Sequence, residues 1–258
     1  METFTGTMTT LLIDADGTAF RAAAAVQTSI QWDDDIITTH ADLNDAKDAF
    51  DAQIAKYNAA AGGDCKIVLC FSCPSRRYFR HDLWADYKGN RKSASPLALK
   101  PLKEWATEQH PTWTKPGLEA DDVLGILATH STLVKGEKII VSHDKDLGQI
   151  PGLHLNPMSP DEGVYRIAPA FARRLLAYQV LVGDSTDNYP GCPGIGPVRA
   201  DKILDGIPPG EPYTPTLLAT YQKANLTADN LAIQINVARI LTTKIYDFEE
   251  KRPILWEP

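Results

Sequence analysis

Short apolar segments alternate with helical segments along the first two thirds of this chain. The apolar patterns predict strands at 9–13, 66–71, 112–114 and 138–142, and helices at 41–61 and 119–132. Strands that alternate with helices usually pair in parallel, so the pattern predicts an α/β fold with a mostly parallel central sheet flanked by helices. Such a sheet brings the carboxyl ends of its strands to one edge, where binding sites form.

The pattern changes at about residue 168, where helical segments replace the alternation. The sequence predicts helices at 168–182, 198–204 and 227–246, and a turn rich in glycine and proline at 183–197. A chain of 258 residues has the length of one large domain or of a domain with a smaller companion. We therefore expect an α/β domain over residues 1–167 and a helical subdomain over residues 168–258.

The composition is typical of a soluble globular protein, with 43% hydrophobic and 23% charged residues. No stretch approaches the ~18 uninterrupted apolar residues of a membrane helix. Residues 1–10 lack the basic start and the apolar core of a signal peptide. We therefore expect a cytoplasmic monomer without membrane attachment, in which the four cysteines are thiols.

Acidic residues form four clusters at the predicted ends of strands or in turns: Asp14 with Asp16, Glu119 with Asp121 and Asp122, Asp144 with Asp146, and Asp184 with Asp187. These clusters consist of carboxylate oxygens, hard ligands that suit Mg²⁺ or Mn²⁺. If the clusters converge, divalent cations would relieve their repulsion, and two such ions ~4 Å apart are the usual device for phosphodiester hydrolysis. A simpler interpretation stays open, because acidic residues are also common at helix starts and in turns.

A basic segment lies inside this acidic chain, whose net charge is −7. Residues 76–103 contain eight basic and two acidic residues. Such a segment favours a local contact with a polyanion over a wholly basic binding surface. The alternative is the solvated face of an ordinary surface helix, and composition alone does not decide between the two.

The middle of the basic segment has the chemistry to hold a phosphate. If residues 78–92 form a helix, one of its faces carries Arg80, Trp84, Tyr87 or Lys88, and Arg91. We predict that Lys88 and Arg91 contact a phosphate group, and that Tyr87 or its neighbour Trp84 stacks on a base. An exposed amphipathic helix with the tryptophan in the core is the other interpretation.

A glycine-rich turn at 191–197 joins two of the predicted helices. Glycines let the backbone approach a phosphate, and the start of the following helix offers free N–H groups. Arg199 and Lys202 lie in that helix, where they could contact further phosphates. A structural role as an interhelical turn is compatible with such binding.

Five stretches of the chain carry recognisable motifs: LLIDADGTAFR (11–21), YFRHDLWADYKGNRK (78–92), GLEADDVLG (117–125), IIVSHDKDL (139–147) and VGDSTDNYPGCPGIGPVRADKIL (182–204). Together and in this order they resemble the 5′→3′ exonuclease/flap endonuclease family, which includes bacteriophage enzymes and the N-terminal nuclease domain of bacterial DNA polymerase I. A further stretch at the end of the chain, NVARILTTKIYDFEEKRPILWEP (236–258), resembles the tail of short-tailed-phage exonucleases.

The resemblance implies a PIN-like 5′ nuclease fold with a helix–three-turn–helix in the C-terminal subdomain. It implies hydrolysis of phosphodiester bonds with two Mg²⁺ or Mn²⁺ ions, leaving 5′-phosphates. The implied substrates are DNA 5′ ends, flaps and branched or nicked duplexes, and RNA–DNA hybrids. The family's metal ligands match Asp14, Glu119, Asp121, Asp122, Asp144, Asp146, Asp184 and Asp187.

The resemblance also implies an arch-like segment at about 75–100 that admits single-stranded 5′ ends. Its catalytic residues are expected to be Lys88, Arg91 and Arg80, and its DNA-binding residues Tyr87 and Lys92. The helical hairpin is expected to bind DNA, and K⁺ through backbone carbonyls, with Gly191, Gly194, Ile195, Gly196, Arg199 and Lys202.

Two positions depart from the family pattern. Ala15 follows Asp14 where many members have glycine, and Ser72 and Cys73 follow the second strand where many members have an aspartate. The second departure keeps another interpretation open, a non-catalytic homologue that binds structured DNA. A two-metal phosphoesterase that acts on small substrates is a further alternative, which the basic segment and the hairpin oppose.

Overall fold

The computed structural model describes residues 8–33, 36–91 and 94–258. Their strands, numbered along the chain, are β1 (Thr10–Asp14), β2 (Thr28–Asp33), β3 (Ile36–His40), β4 (Lys66–Cys70), β5 (Thr112–Trp113), β6 (Lys138–Val141), β7 (Gly152–Leu155), β8 (Tyr165–Ile167), β9 (Tyr246–Asp247) and β10 (Arg252–Pro253). Their helices are α1 (Ala15–Ala25), α2 (Leu43–Ala60), α3 (Arg80–Leu83), α4 (Leu99–Gln109), α5 (Ala120–Thr129), α6 (Pro169–Val182), α7 (Pro197–Asp205), α8 (Thr214–Lys223) and α9 (Ala228–Ala238).

Six strands form the central sheet in the order β5-β4-β1-β6-β7-β8. Neighbouring strands are parallel, except that β8 runs antiparallel to β7. All five residues of β1 are buried, because β1 lies inside the sheet and both faces are covered. The predicted α/β fold with a mostly parallel sheet is confirmed.

Helices pack on both faces of the sheet, because successive strand residues point to opposite faces. Leu11 of β1 packs with Phe50 of α2 in the core on one side. The next residue, Leu12, packs with Leu124 of α5 in the core on the other side. None of the helices in the described ranges combines the length and the apolar character that crossing a bilayer requires.

Helices α6 to α9 form a third core, which follows the sheet in sequence. The Tyr221 hydroxyl of α8 is buried in it and donates to the Val180 carbonyl of α6 at 2.6 Å. The basic segment also contributes to this core through Tyr87. The helical character predicted after residue 168 is therefore confirmed, and α6 and α7 flank the predicted glycine-rich turn.

The predicted helix over residues 227–246 is too long. Helix α9 ends at Ala238, and Arg239 is extended with φ −74° and ψ 138°. Side chains from the sheet domain accept the next two backbone N–H groups: Gln149 accepts from Ile240 at 2.9 Å and Asp122 from Leu241 at 3.1 Å. These tertiary hydrogen bonds take the place of the helical ones.

Residues 78–92, for which the sequence analysis considered a single helix, do not form one. Only Arg80–Leu83 is helical, and Trp84 is extended. Lys88 has the left-handed φ of 55°, and its N–H donates to the Asp187 carbonyl at 2.9 Å. The chain leaves the helix here because the side chains after Trp84 reach buried carboxylates on other elements.

Candidate active site

Two aspartates lie side by side at the carboxyl ends of the paired parallel strands β1 and β6. Asp14 caps α1, and its Oδ1 accepts from the Gly17 N–H at 3.2 Å. Its Oδ2 accepts from the Ser142 hydroxyl at 2.9 Å. Asp144 caps the 3₁₀ turn that follows β6, and its Oδ1 accepts from the Asp146 N–H at 2.8 Å. Carboxylates from two of the four acidic clusters therefore lie at this edge of the sheet.

The carboxylates at this edge repel one another. Burial and neighbouring acidic side chains raise the pKa of Asp14. Burial, followed by repulsion from Asp144 and Asp14, raises the pKa of Asp121 well above its usual range. Burial and the charges of Asp144 and Asp184 raise the pKa of Asp146 to about 7. The edge thus carries more negative charge than its nearby cations neutralise.

The Asp184 carboxylate is stabilised in its charged form. Burial alone would raise its pKa, but the N–H groups of Thr186 and Asp187 donate to it at 2.6 and 3.2 Å and lower the pKa overall. Lys145 adds an ion pair with Asp184 at 3.3 Å. Within the described ranges, no three Asp, Glu, His or Cys side chains form a ready-made metal cage.

Arg80 is not placed to act on a substrate. Its side chain is only 4% exposed, and its five N–H groups donate to Glu119, twice to Asp122, and to the carbonyls of Val237 and Arg239. A guanidinium has five donors, so none is left for a phosphate. The prediction of a catalytic Arg80 is therefore corrected: this residue ties α5 to the chain after α9.

Asp122 is likewise a structural acid. Its side chain is fully buried, and its two oxygens accept from the Arg80 guanidinium at 2.6 and 2.8 Å, from the Glu119 N–H at 3.3 Å and from the Leu241 N–H at 3.1 Å. These four hydrogen bonds occupy the acceptor sites that a metal would need. The structure thus separates Asp122 from the other predicted metal ligands.

Tyr87 is buried and unavailable to stack on a base, which corrects the prediction made for it. Its hydroxyl lies 2.7 Å from Glu119 Oε2 and 2.8 Å from Asp187 Oδ2. One hydroxyl proton can serve only one of these carboxylates at a time. The other candidate, Trp84, is half-buried and donates through Nε1 to the Asn188 carbonyl at 2.8 Å.

Lys88 and Arg91 both pair with carboxylates of the site. The Lys88 ammonium binds Glu119 and lies 3.5 Å from Asp187 Oδ2. Burial would lower the pKa of Lys88, but these two carboxylates raise it overall. Arg91 is half-exposed and donates to Asp187 Oδ1 at 2.8 Å. Lys92, the remaining predicted contact of this segment, lies outside the described residues.

The glycine-rich turn exposes only part of its predicted surface. Gly191 is buried, and its N–H donates to Gln234 at 2.9 Å, so it supports the turn and does not face a ligand. Gly194 and Gly196 are exposed, as are the cations Arg199 and Lys202, while Ile195 is half-buried. Arg199 donates to the Gly194 carbonyl at 2.7 Å, which occupies one of the carbonyls predicted to hold K⁺.

Asp16 supplies a carboxylate at the end of β4, where the sequence has no acidic residue. Its Oδ2 accepts from the Ser72 N–H at 2.8 Å, and its Oδ1 pairs with Lys103 of α4. The sequence contains Asp16 in the first acidic cluster, but its reach across to β4 follows from helix α1, which was not predicted.

Arg21 lies near the site and was not named by the sequence analysis. It is one helical turn beyond Gly17 on α1, and its guanidinium lies 3.2 Å from His143 Nδ1 and 3.0 Å from the Tyr57 hydroxyl. The i, i+4 spacing on α1 is the signal that could have revealed it.

Carboxylates lie at the carboxyl edge of the parallel sheet, and Lys88 and Arg91 form ion pairs with two neighbouring carboxylates. The molecule is therefore an α/β protein whose site is built from carboxylates. A family model for the N-terminal resolvase-like domain of 5′-3′ exonucleases matches residues 9–166. The chain therefore belongs to the 5′-3′ exonuclease family.

Named relatives cover different parts of the chain. It is 32% identical over 173 residues to flap endonuclease Xni of Shewanella piezotolerans, and the alignment covers 60% of this chain and 68% of that relative. It is 36% identical over 146 residues to a 5′-3′ exonuclease of Buchnera aphidicola, covering 51% and 49% of the two chains. With the exonuclease of Escherichia phage T7 it shares 25% identity over 281 residues, 96% of this chain and 93% of the other.

The fold also matches a solved structure. The bacteriophage T5 flap endonuclease, in a pseudo-enzyme-product complex with DNA and metal ions, superposes with a TM-score of 0.56. The match covers 88% of this chain and 89% of the other, at 16% sequence identity. At this identity the match shows a shared fold.

Proposed function

We propose that this chain is a divalent-metal-dependent 5′→3′ DNA exonuclease and structure-specific flap endonuclease. The observation that carries the proposal is the set of mutually repelling carboxylates at the sheet edge of a chain that belongs to this family. Relatives named flap endonuclease and exonuclease support it.

The donor set fits Mg²⁺ or Mn²⁺, because it consists of carboxylate oxygens whose repulsion two divalent cations would relieve. We propose that the ions are held by Asp14, Asp121, Asp144 and Asp146, with Asp184, Asp187 and Glu119 completing the set. When bound, they supply Lewis-acid stabilisation of the phosphate charge. Asp16 binds Ser72 and Lys103 and so places a carboxylate at the end of β4, which has no acidic residue of its own there.

Lys88 and Arg91 are proposed to orient the scissile phosphate and to neutralise part of its charge. In the structure their cations pair with Glu119 and Asp187. With metal ions held by the carboxylates, Lys88 and Arg91 would be free to pair with the phosphate. Arg80 and Asp122 hold the Glu119 end of α5 in place.

The helical hairpin is proposed to hold the DNA duplex through its backbone. Gly194, Gly196, Arg199 and Lys202 are exposed around the start of α7, which offers free N–H groups. Such contacts position DNA without reading its sequence. We propose a division into a nuclease domain over 1–167, with an arch-like part at about 75–100, and a DNA-binding subdomain over 168–258.

The proposed substrates are 5′ ends, flaps and nicked or branched DNA, with RNA–DNA hybrids as a further substrate. The proposed products carry 5′-phosphates, and the enzyme is proposed to act as a cytoplasmic monomer, with K⁺ at the hairpin. Cleavage of a duplex with a labelled 5′ flap, compared with a matched 3′-flap duplex, tests the proposal. Products that depend on Mg²⁺ and come only from the 5′ flap are expected.

Two other results would overturn the proposed activity. Binding of the 5′-flap duplex without cleavage in Mg²⁺ or Mn²⁺ would identify a non-catalytic DNA-binding homologue. Failure to bind either duplex would instead favour a phosphoesterase for small substrates.

A further inference from the structure

An apolar pocket of about 610 Å³ lies among α6, α8, α9 and the chain that follows α9. Its walls include Leu176 of α6, Leu217 of α8 and Ile235 of α9. Pockets for small ligands typically have volumes of about 300–1,000 Å³, apolar walls and a few polar groups that fix orientation. No residue of the proposed nuclease site is among the described residues that line this one.

Arg239 lines this pocket and has unused hydrogen-bond donors. It is only 7% exposed, and its Nη2 donates to the Ile254 carbonyl. Its Nε is buried and has no hydrogen-bond partner. Within the described part of the chain its guanidinium forms no ion pair with a carboxylate. A buried charged donor without an acceptor is costly, so a native fold rarely leaves one without a purpose.

The surroundings compensate the Arg239 charge only in part. Burial, and then repulsion from the Arg80 guanidinium, lowers the pKa of Arg239 to about 10, although attraction to the Asp122 carboxylate opposes the shift. The side chain therefore remains a cation at neutral pH. Two exposed residues on the pocket wall, Arg173 and Glu211, carry opposite charges and together add no net charge.

We propose that this pocket binds a small organic monoanion with an apolar body and a carboxylate headgroup. The carboxylate accepts from the Arg239 guanidinium, whose planar fork matches two carboxylate oxygens, and the apolar body fills the space beside Leu176 and Leu217. A single buried cation matches a single negative charge. A dianion would leave one charge unpaired in an apolar wall near Glu211. This ligand site is separate from nuclease activity.

Calorimetric titration of the full chain with octanoate tests the site, in EDTA so that metal-dependent cleavage plays no part. 1-Octanol has the same chain without the charge, and acetate has the headgroup without the chain. Octanoate is expected to bind with one-to-one stoichiometry and at least tenfold more tightly than either control. Absence of octanoate binding, or equal binding of octanol, would overturn the proposal.

Variants of the pocket separate the roles of charge and space. Arg239→Gln is expected to weaken octanoate binding at least tenfold and to leave octanol binding unchanged. Leu176→Trp, which fills the pocket, is expected to abolish binding of both, whereas the exposed Arg77→Gln keeps wild-type binding. Far-UV circular dichroism checks that each variant is folded. If Arg239→Gln does not fold, Leu176→Trp decides, and unchanged octanoate binding in either folded variant contradicts the proposal.

Discussion

The side chain of Arg80 shows how a residue can look catalytic in sequence and yet be structural. It stands in the basic motif beside Lys88, but its guanidinium is saturated by buried carboxylates and carbonyls. The two cations differ in environment because Arg80 enters the core between α5 and α9, whereas Lys88, although largely buried, lies against the carboxylates of Glu119 and Asp187. The motif contains both cations, and only the fold shows that their roles differ.

Replacement of Arg80 by methionine should strongly destabilise the protein. It would leave Glu119 and Asp122 buried without their cation, which typically costs about 3–5 kcal/mol of the free energy of unfolding. Arg77→Met is the matched control, since its pair with Asp82 is exposed and worth at most about 1 kcal/mol. Urea unfolding measures both, and equal losses would contradict the structural role of Arg80.

His154 should make stability depend on pH. Burial lowers the pKa of this β7 side chain below its ordinary value of 6.5, although its hydrogen bond to the Ile150 carbonyl partly opposes the shift. Below pH 6.5 the unfolded chain therefore takes up a proton that the folded chain does not, and stability falls. The free energy of unfolding in EDTA should drop less in His154→Gln than in the wild type between pH 7.5 and 5.5. An equal drop would contradict this account.

At the scale of elements, the strands were predictable and the segments between them were less so. β1, β4 and β6 have continuous apolar sequences, and their positions were predicted to within a residue or two. The break after α3 and the end of α9 were missed, because hydrogen bonds to Asp187, Gln149 and Asp122 decide them. Those partners are distant in sequence, so no local pattern reveals them.

The turn between α6 and α7 should tolerate no side chain at Gly191. Its φ is +67°, and a Cβ there would lie 2.3 Å from the Gly183 nitrogen. Gly210 has a φ of +93° but open space around the same position, so Gly210→Ala carries only the backbone strain, roughly 1–2 kcal/mol. Gly191→Ala should cost clearly more in thermal or urea unfolding. Similar losses in the two variants would contradict close packing at this turn.

At the scale of the whole molecule, an acidic sheet edge lies beside the basic segment. The cations of that segment neutralise only part of the negative charge at the edge. Glu119 and Asp187 have cationic partners, whereas burial and repulsion from neighbouring acidic side chains raise the pKa values of Asp14, Asp121 and Asp146. The sequence analysis named all of these acidic residues from their places at predicted strand ends, at a helix start and in turns. The sequence could not show that Asp122 and Tyr87 are buried. Their burial depends on contacts with residues that are distant in sequence: Arg80 and Leu241 for Asp122, and the third core for Tyr87.

The most direct test of the central claim is cleavage of a 5′-labelled flap duplex in Mg²⁺ by the wild type and by Asp144→Asn. Asp144 is exposed at the acidic edge, so the variant should fold normally. The account predicts a loss of more than about a hundredfold in cleavage rate, the scale of losing a charge-stabilising group. DNA binding in Ca²⁺ should persist, and the distant exposed variant Asp161→Asn should cleave normally. Wild-type cleavage by Asp144→Asn would contradict the proposed metal site.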